Sequence, residues 1–169
     1  KTNPSGKLPV TFPIAGKGFL DRIATSQFPG VISADGVQQT VTYSEQLAIG
    51  YRWYDANVGG NCTVRAGRNA CVAFPFGHGL SYTSFSVGKP SVAFDAASGT
   101  WTATARVTNS GKRAGAEVVQ VYLQLPPSAN AVGAKQPPRR LIGFQKIELA
   151  PGASGDVRIV IDPAASNHP

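Results

Sequence analysis

The chain has 169 residues, which is enough for one ordinary domain, or for a small domain with a further segment that does not fold alone. Hydrophobic residues make up 42% and charged residues 15%, which excludes a disordered tail, and no apolar run approaches the roughly 18 to 20 residues of a membrane span. The net charge of +7 would suit a nucleic-acid partner, but the basic residues are scattered and only Lys112-Arg113 and Arg139-Arg140 are adjacent. We therefore expect no nucleic-acid and no membrane partner.

The first 40 residues alternate turn signals with short apolar pieces and show no sustained helical or strand periodicity. This pattern is typical of a connecting segment that runs over another surface. Its apolar side chains would be exposed if the chain stood alone, which usually marks a missing partner surface. They are Leu8, Val10, Phe12, Ile14, Phe19 and Leu20.

The stretch "VTYSEQLAIGYRWYDAN", residues 41–57, is rich in aromatic residues. We predict a short helical turn over 44–49 and an extended piece over 50–55. Arg52, Trp53 and Asp55 could form the edge of a substrate cleft, since the aromatic rings around Asp55 could stack on a sugar ring. The alternative, which we favour, is that these aromatic residues pack the segment against other domains.

Cys62 and Cys71 lie in "NCTVRAGRNACV". A metal site would need about four ligands, and the two histidines lie far away in sequence. We predict a disulfide that closes this small loop, and hence an oxidising compartment. Asn61 also begins the glycosylation sequon "NCT".

The stretch "FPFGHGLSYTSF", residues 74–85, places His78 between two glycines. His78 could be a general base, but the sequence around Ser81 lacks the G-x-S-x-G frame of a serine nucleophile. We interpret the stretch as a rigid hinge in which the flanking glycines allow positive φ and close backbone approach, and the imidazole bonds a carbonyl. The predicted hinge and domain-packing residues are Phe74, Phe76, Gly77, His78, Gly79, Tyr82 and Phe85.

From Tyr82 the pattern changes to alternation in six runs bounded by Gly, Pro, Asn or Asp, which predicts an all-β sandwich. In one run, Trp101, Ala103, Ala105 and Val107 share a face. We interpret the later aromatic residues as mostly core. They are Phe94, Trp101, Tyr122 and Phe144. The long loop 126–140 is interpreted as a surface excursion rather than as a loop that reaches an active site.

Five collinear motifs together resemble the C-terminal part of glycoside hydrolase family 3, the β-glucosidase and β-xylosidase family. They are "NPSGKLPVTFP", "YSEQLAIGYRWYD", "FPFGHGLSYTSF", "VTNSGKRAGAEVVQVYL" and "RRLIGFQKIELAPGAS". The resemblance implies an exit segment from a preceding α/β sandwich domain at 1–40, an interdomain linker at 41–79, and a fibronectin type III-like (immunoglobulin-like) β-sandwich at 80–169. It also implies that further strands would complete the sandwich beyond Pro169.

In that family the catalytic carboxylates lie in a barrel domain and an α/β sandwich domain, so the resemblance implies that neither maps onto this chain. The parent protein would hydrolyse terminal non-reducing β-D-glucosyl or xylosyl residues, with no cofactor and no metal, in a secreted or periplasmic location. This chain would brace the catalytic domains, which are its expected partners, and would be inactive alone. The alternative is a stand-alone carbohydrate-binding or adhesion module.

Overall fold

The computed structural model describes residues 2–14, 23–57, 64–65, 68–69, 72–124 and 136–166. The chain divides into two compact units. The sandwich unit comprises residues 1–7, 79–124 and 139–169, and the linker unit comprises residues 8–78 and 125–138. The division therefore falls between His78 and Gly79, inside the predicted hinge. Residues 1–7 belong to the sandwich unit although they were predicted as part of the exit segment, and residues 125–138 belong to the linker unit although they were predicted as part of the sandwich. The predicted domain boundaries remain predictions.

Over its described residues, the linker unit is built from short strands and one helix. Its elements are β1 (Phe12–Pro13), β2 (Val31–Ile32), β3 (Gln39–Thr40), α1 (Tyr51–Asn57), β4 (Val64–Arg65), β5 (Arg68–Asn69) and β6 (Val72–Phe74). The strands form the antiparallel pairs β1–β6, β2–β3 and β4–β5. Such short pairs cannot enclose a large core, and the buried cluster of this unit is Trp53 and Val72, with Ile23 and Tyr54 packed against them.

The predicted extended piece over residues 50–55 is wrong, because α1 occupies residues 51–57. The helix turns the Trp53 ring into the cluster with Val72. At its end the Asn57 side-chain amide donates to the Trp53 carbonyl at 2.9 Å. The predicted helical turn over 44–49 is a hydrogen-bonded turn rather than a helix, with the Ala48 N–H donating to the Glu45 carbonyl at 3.0 Å.

The six predicted strands of the sandwich are all present. They are β7 (Phe85–Val87), β8 (Ser91–Asp95), β9 (Thr100–Asn109), β10 (Gly115–Leu123), β11 (Arg140–Leu149) and β12 (Ser154–Ile161), followed by the short helix α2 (Pro163–Ser166). The prediction of an all-β sandwich fold is thus confirmed. None of the helices in the described ranges has the length and apolar character that a membrane crossing would require.

Two antiparallel sheets face each other in this unit. In the first, β9 pairs with β12 along one edge and with β7 and β8 along the other. The second is the hairpin of β10 and β11. The sheets approach closely where glycine removes a side chain: a Cβ on Gly143 would lie 2.6 Å from Ile159, and a Cβ on Gly155 would lie 2.8 Å from Ile147. The side chains of Ile159 and Ile147 occupy the space left by these two glycines, so β11 packs closely against β12.

The core of the sandwich lies between the two sheets. The buried cluster is Ala105, Val107, Leu149 and Val157, and the half-buried residues Phe85, Val119, Ile147 and Ala153 pack against it. Ala103, Ala105 and Val107 are buried on one face of β9, as the alternation predicts. Trp101 continues this face and pairs with Phe94 of β8, yet both side chains are exposed. All five residues of β8 are exposed, so the β10–β11 hairpin leaves this strand uncovered.

The turn between β8 and β9 gives a prediction on titration. Asp95 accepts a hydrogen bond from the Ser98 hydroxyl at 2.7 Å and from the Ala97 N–H at 3.0 Å. These bonds, the hydroxyl first, hold the pKa of Asp95 below its ordinary value. A carboxyl whose pKa is lowered by folding stabilises the fold above its unfolded-state pKa, and this contribution is lost as the pH falls through the lowered pKa. A carboxyl-detected NMR titration should give a pKa below the ordinary value, and Ser98→Ala should raise it. A pKa for Asp95 at or above the ordinary value would contradict the prediction.

Candidate domain-packing site

The first half of the predicted hinge closes the linker unit with aromatic contacts. Phe74 lies edge-on to Phe12 across the β1–β6 pair, with ring centroids 6.4 Å apart. Phe76 stacks on Tyr51 of α1 at 4.5 Å. The ring of His78 lies 5.1 Å from that of Phe74. These residues are thus brought together on one side of the linker unit, where Phe12 and Phe74 remain about half exposed.

The backbone around His78 explains the two glycines. Gly77 has a φ of +79°, a conformation that side chains disfavour. Its N–H donates to the Leu8 carbonyl at 2.8 Å, and the Leu8 N–H donates to the His78 carbonyl at 2.8 Å. Gly79 has a different constraint, because a Cβ there would lie 2.7 Å from the Gly6 carbonyl oxygen. Among the described residues the His78 imidazole contacts Phe74 rather than the predicted carbonyl.

The second half of the predicted hinge belongs to the sandwich unit. Asn3 holds it, because its side-chain oxygen accepts the Tyr82 N–H at 2.7 Å and its amide donates to the Ser81 hydroxyl at 3.1 Å. Phe85 begins β7 and packs against the buried core. Tyr82 lies on the surface with 60% of its area exposed. The predicted hinge residues therefore fall into an aromatic group, Phe74 to His78, and a sandwich group, Gly79 to Phe85.

An ion pair fixes the residues before the linker unit to the sandwich. The Lys7 ammonium lies 2.6 Å from the Glu117 carboxylate, and the two side chains are only 23% and 20% exposed. Glu117→Gln should lower the free energy of unfolding by about 1 kcal/mol, since a partly buried pair contributes more than a surface pair. Urea denaturation measures this.

The matched control for this substitution is Asp156→Asn. Asp156 pairs with Arg106 at 3.4 Å, and these side chains are 65% and 59% exposed. We expect a change below about 0.5 kcal/mol there, because solvent screens an exposed pair. Equal effects of the two substitutions would contradict the stabilising role of the Lys7–Glu117 pair.

Asn109 organises one end of the sandwich, and the sequence analysis did not identify it. It is 0% exposed, and its side-chain amide donates to the carbonyls of Arg113 and Leu149 at 2.7 and 3.1 Å. Its side-chain oxygen accepts the Thr83 hydroxyl at 2.7 Å and the Gly111 N–H at 3.1 Å. The only signal in the sequence is its position at the end of β9, in register with the buried face of Val107.

The three residues proposed as a cleft edge all lie on α1. Trp53 is buried against Val72 and borders a groove of about 330 Å³ with Gln27, Ser44, Glu45, Gln46, Ala48 and Asn57. Arg52 and Asp55 are half-buried elsewhere on α1, and the Arg52 guanidinium lies 5.9 Å from the Tyr51 ring centroid. The alternative that the aromatic residues pack the segment agrees with this geometry, while the role of Arg52 and Asp55 stays a prediction.

Three of the later aromatic residues are not core, contrary to the interpretation from sequence. Phe94, Trp101 and Phe144 are 52%, 45% and 67% exposed. Phe94 and Trp101 contact each other at 4.9 Å on the inner face of the first sheet, where the hairpin does not cover them. Phe144 lies on the outer face of β11, between the half-buried Gly143 and Gln145. Alternation assigned the faces of β9 correctly but could not show how far the opposing sheet extends.

Cys62 and Cys71, the predicted disulfide pair, lie outside the described residues, as do Asn61 and most of the loop 126–140. Within the described ranges no three His, Cys, Asp or Glu side chains come together as they would around a metal ion.

Residues 117–168 match the sequence profile of the fibronectin type III-like domain. The whole chain is similar to much longer proteins. It is 35% identical over 167 residues to a probable β-glucosidase I of Aspergillus terreus, covering 95% of this chain and 17% of the relative. The β-glucosidase DesR of Streptomyces venezuelae, solved in complex with D-glucose, superposes with a TM-score of 0.74 at 40% identity, over 95% of this chain and 18% of that one. A family 3 β-glucosidase of Bifidobacterium adolescentis superposes with a TM-score of 0.72 at 32% identity, over 97% of this chain and 21% of that one.

The class of this protein is therefore a fibronectin type III-like sandwich with an attached linker unit. Over nearly its whole length the chain is homologous to a segment of the glycoside hydrolase family 3 β-glucosidases, which confirms the resemblance seen in the five motifs. The chain spans about one sixth of the length of the curated relatives it matches, and the remainder of such a polypeptide is much larger than the chain itself.

Proposed function

We propose that this chain is the linker and fibronectin type III-like portion of a β-glycosidase that hydrolyses terminal non-reducing β-D-glucosyl or xylosyl residues. Its role is structural: it braces the barrel and α/β sandwich domains of the same polypeptide, and it carries no catalytic carboxylate. The observation that supports this proposal most directly is the coverage, because 95% of this chain aligns with only 17% or 18% of proteins named as β-glucosidases.

The surface of the linker unit supports a bracing role. Its large apolar side chains are exposed to an extent that is unusual for a free-standing protein. Val10 and Phe12, two of the predicted docking residues, are about half exposed, and Leu8 and Ile14 are half-buried, while Phe19 and Leu20 lie outside the described residues. The other exposed apolar side chains of this unit include Phe28, Val31, Ile32, Val37, Tyr43 and Ile49. These side chains would lose their contact with water against the catalytic domains.

The uncovered strand β8 supports a second contact of the same kind. Val92, Phe94 and Trp101 extend the buried face of the first sheet but lack an opposing strand among the described residues. Further strands of the same polypeptide, placed beside the β10–β11 hairpin, would cover them. This arrangement would give the second sheet the width of the first.

Activity measurements test the proposal. The purified 169-residue chain should not hydrolyse an aryl β-glucoside or an aryl β-xyloside, whereas the longer native polypeptide should hydrolyse at least one of them. Turnover by the purified chain that co-elutes with it on size exclusion would overturn the structural role. Absence of turnover by the longer polypeptide on every β-glycoside would overturn the proposed activity.

The bracing role has its own test, because a docking side chain matters only when its partner is present. Val31 and Ile32 form β2 and are 54% and 63% exposed. Changing both to serine should leave the melting temperature of the isolated chain nearly unchanged and lower that of the longer polypeptide by several degrees. Phe144→Ser, at an exposed position of the sandwich unit, is the control. An unchanged melting temperature of the longer protein would overturn docking through β2.

We further propose that the protein is secreted or periplasmic and that Cys62 and Cys71 form a disulfide, since a loop of this size closed by two cysteines is typical of an oxidising compartment. Alkylation of the native protein under denaturing conditions, followed by mass spectrometry, should label neither cysteine before reduction and both after it. Labelling of both cysteines without reduction would overturn the disulfide.

A stand-alone carbohydrate-binding module is a second candidate, which the exposed Phe94–Trp101 pair favours. If this candidate is correct, the isolated chain should bind a β-glucan with measurable affinity. Trp101→Ala should abolish this binding, whereas changing Tyr51, Trp53 and Tyr54 to alanine should leave it intact. No binding by the isolated chain would leave the structural role as the function of this segment.

A further inference from the structure

A shallow groove at one end of the sandwich unit is lined by two cationic side chains and an aromatic ring. It has a volume of about 340 Å³ and is lined by Asn3, Tyr82, Lys112, Arg113, Ala114 and Pro151. The lining therefore contains an ammonium and a guanidinium but no carboxylate. Lys112 and Arg113 are exposed, and neither forms an ion pair among the described residues. Loops at the end of an immunoglobulin-like sandwich are where such folds commonly bind ligands.

The walls of this groove are held by the buried Asn109. It fixes the Lys112–Arg113 turn through the Gly111 N–H and the Arg113 carbonyl, and it fixes the segment of Tyr82 through the Thr83 hydroxyl. The wall formed by Pro151 is held as well, because the Gly152 N–H donates to the Asn109 backbone carbonyl at 2.9 Å. Asn3 uses its side-chain oxygen on the Tyr82 N–H. A groove whose backbone is fixed in this way loses little entropy on binding.

Each lining group has a distinct chemical use. A guanidinium and an ammonium that line the same groove suit a carboxylate, which accepts charge-assisted hydrogen bonds. Tyr82, a residue that is 60% exposed, carries a ring with an apolar face of the size of a sugar ring together with a hydroxyl. The volume is within the range of small-molecule sites.

We propose that this groove binds a carboxylate-bearing sugar residue, such as a uronic acid unit of a polysaccharide. The carboxylate would lie between Lys112 and Arg113, and the pyranose ring would lie on Tyr82. The inference does not rest on the proposed β-glycosidase activity, because it concerns a surface of the sandwich unit alone.

Titration of the 169-residue chain with a trimer of β-linked glucuronic acid, followed by NMR and calorimetry, tests this inference. We expect shifts at residues 82, 111–114 and 151, and an affinity that falls as salt is raised from about 0.05 to 0.3 M, because salt screens exposed charges. Cellotriose, the neutral counterpart, should bind at least about tenfold more weakly, since it lacks the charge-assisted bonds.

Variants locate the site. The double substitution Lys112→Ala and Arg113→Ala should weaken glucuronate binding at least about tenfold, and Tyr82→Ala should weaken it while leaving the salt dependence in place. The matched control is Lys89→Ala with Lys146→Ala, which removes two exposed cations of the same unit outside the groove lining. This control should leave the affinity nearly unchanged.

Four results would overturn the proposal: no binding at millimolar glucuronate, equal binding of cellotriose, equal loss of affinity in the control variant, or equal affinity for tri-glutamate. The last result would mean that the groove recognises an anion without a sugar ring. Because none of these measurements involves catalysis, their outcome is independent of whether the longer polypeptide is a β-glycosidase.

Discussion

Replacement of Asn109 by alanine should lower the free energy of unfolding of the sandwich unit by about 3 kcal/mol, near the upper end of single-substitution effects. The substitution leaves four polar groups without their bond: the carbonyls of Arg113 and Leu149, the Thr83 hydroxyl and the Gly111 N–H. Each orphaned polar group costs roughly 1 kcal/mol or more, and water can reach only some of them. Urea unfolding followed by far-UV circular dichroism measures the loss.

Two further variants separate the hydrogen bonds of Asn109 from its volume. Asn109→Asp keeps the shape but places a carboxylate oxygen against two carbonyls, so it should be at least as destabilising as alanine near neutral pH. Ser110→Ala removes a hydroxyl that donates to the Ser84 carbonyl at 3.2 Å on the surface, and should cost below about 0.5 kcal/mol. An Asn109→Asp protein as stable as the parent chain would show that the amide does not organise this end.

Replacement of Trp53 by alanine should destabilise the linker unit by about 3 to 5 kcal/mol, because it removes the largest side chain of a small buried cluster. The described residues of the linker unit include few other buried apolar side chains, so we expect it to lose its fixed tertiary structure. Limited proteolysis should then cleave within residues 23–57 much faster than in the parent chain.

Arg52→Ala is the control for this substitution. Arg52 neighbours Trp53 on α1 but is half-buried over the Tyr51 ring, so its loss should cost below about 1 kcal/mol. If Trp53→Ala left proteolysis unchanged while it weakened substrate binding by the longer polypeptide, Trp53 would be a cleft residue rather than a core residue.

Much of the sandwich could be predicted from the sequence because period-2 alternation reports directly on which face of a strand is buried. Ala103, Ala105 and Val107 illustrate this, since they lie on one face of β9 and are buried there. Trp101 continues the same alternation yet is exposed, because burial also depends on the reach of the opposing sheet. That reach is a property of tertiary structure that a single strand does not encode.

The linker unit was harder to predict for a different physical reason. Its strands are two or three residues long, so they contain too little sequence for a period to emerge. The aromatic run 51–54 was consistent with an extended piece until packing on Val72 selected the helix α1. Asn109 was not identified because the sequence does not distinguish an asparagine that hydrogen-bonds buried backbone groups from one that faces solvent. Only its hydrogen-bond partners, which the structure reveals, distinguish the two.

The two ends of the sandwich differ in how they would tolerate added sequence. At the Asn109 end, three separate parts of the chain, at residues 83, 111–113 and 149, share one side chain, so an inserted peptide in 110–114 would also displace the other two segments. The turn 96–99 is held by Asp95 and its own neighbours, and Gly99 there has open space around it. An affinity tag, a fluorophore attachment site or a protease recognition sequence is therefore best placed between β8 and β9, where it would leave the opposite end of the domain undisturbed.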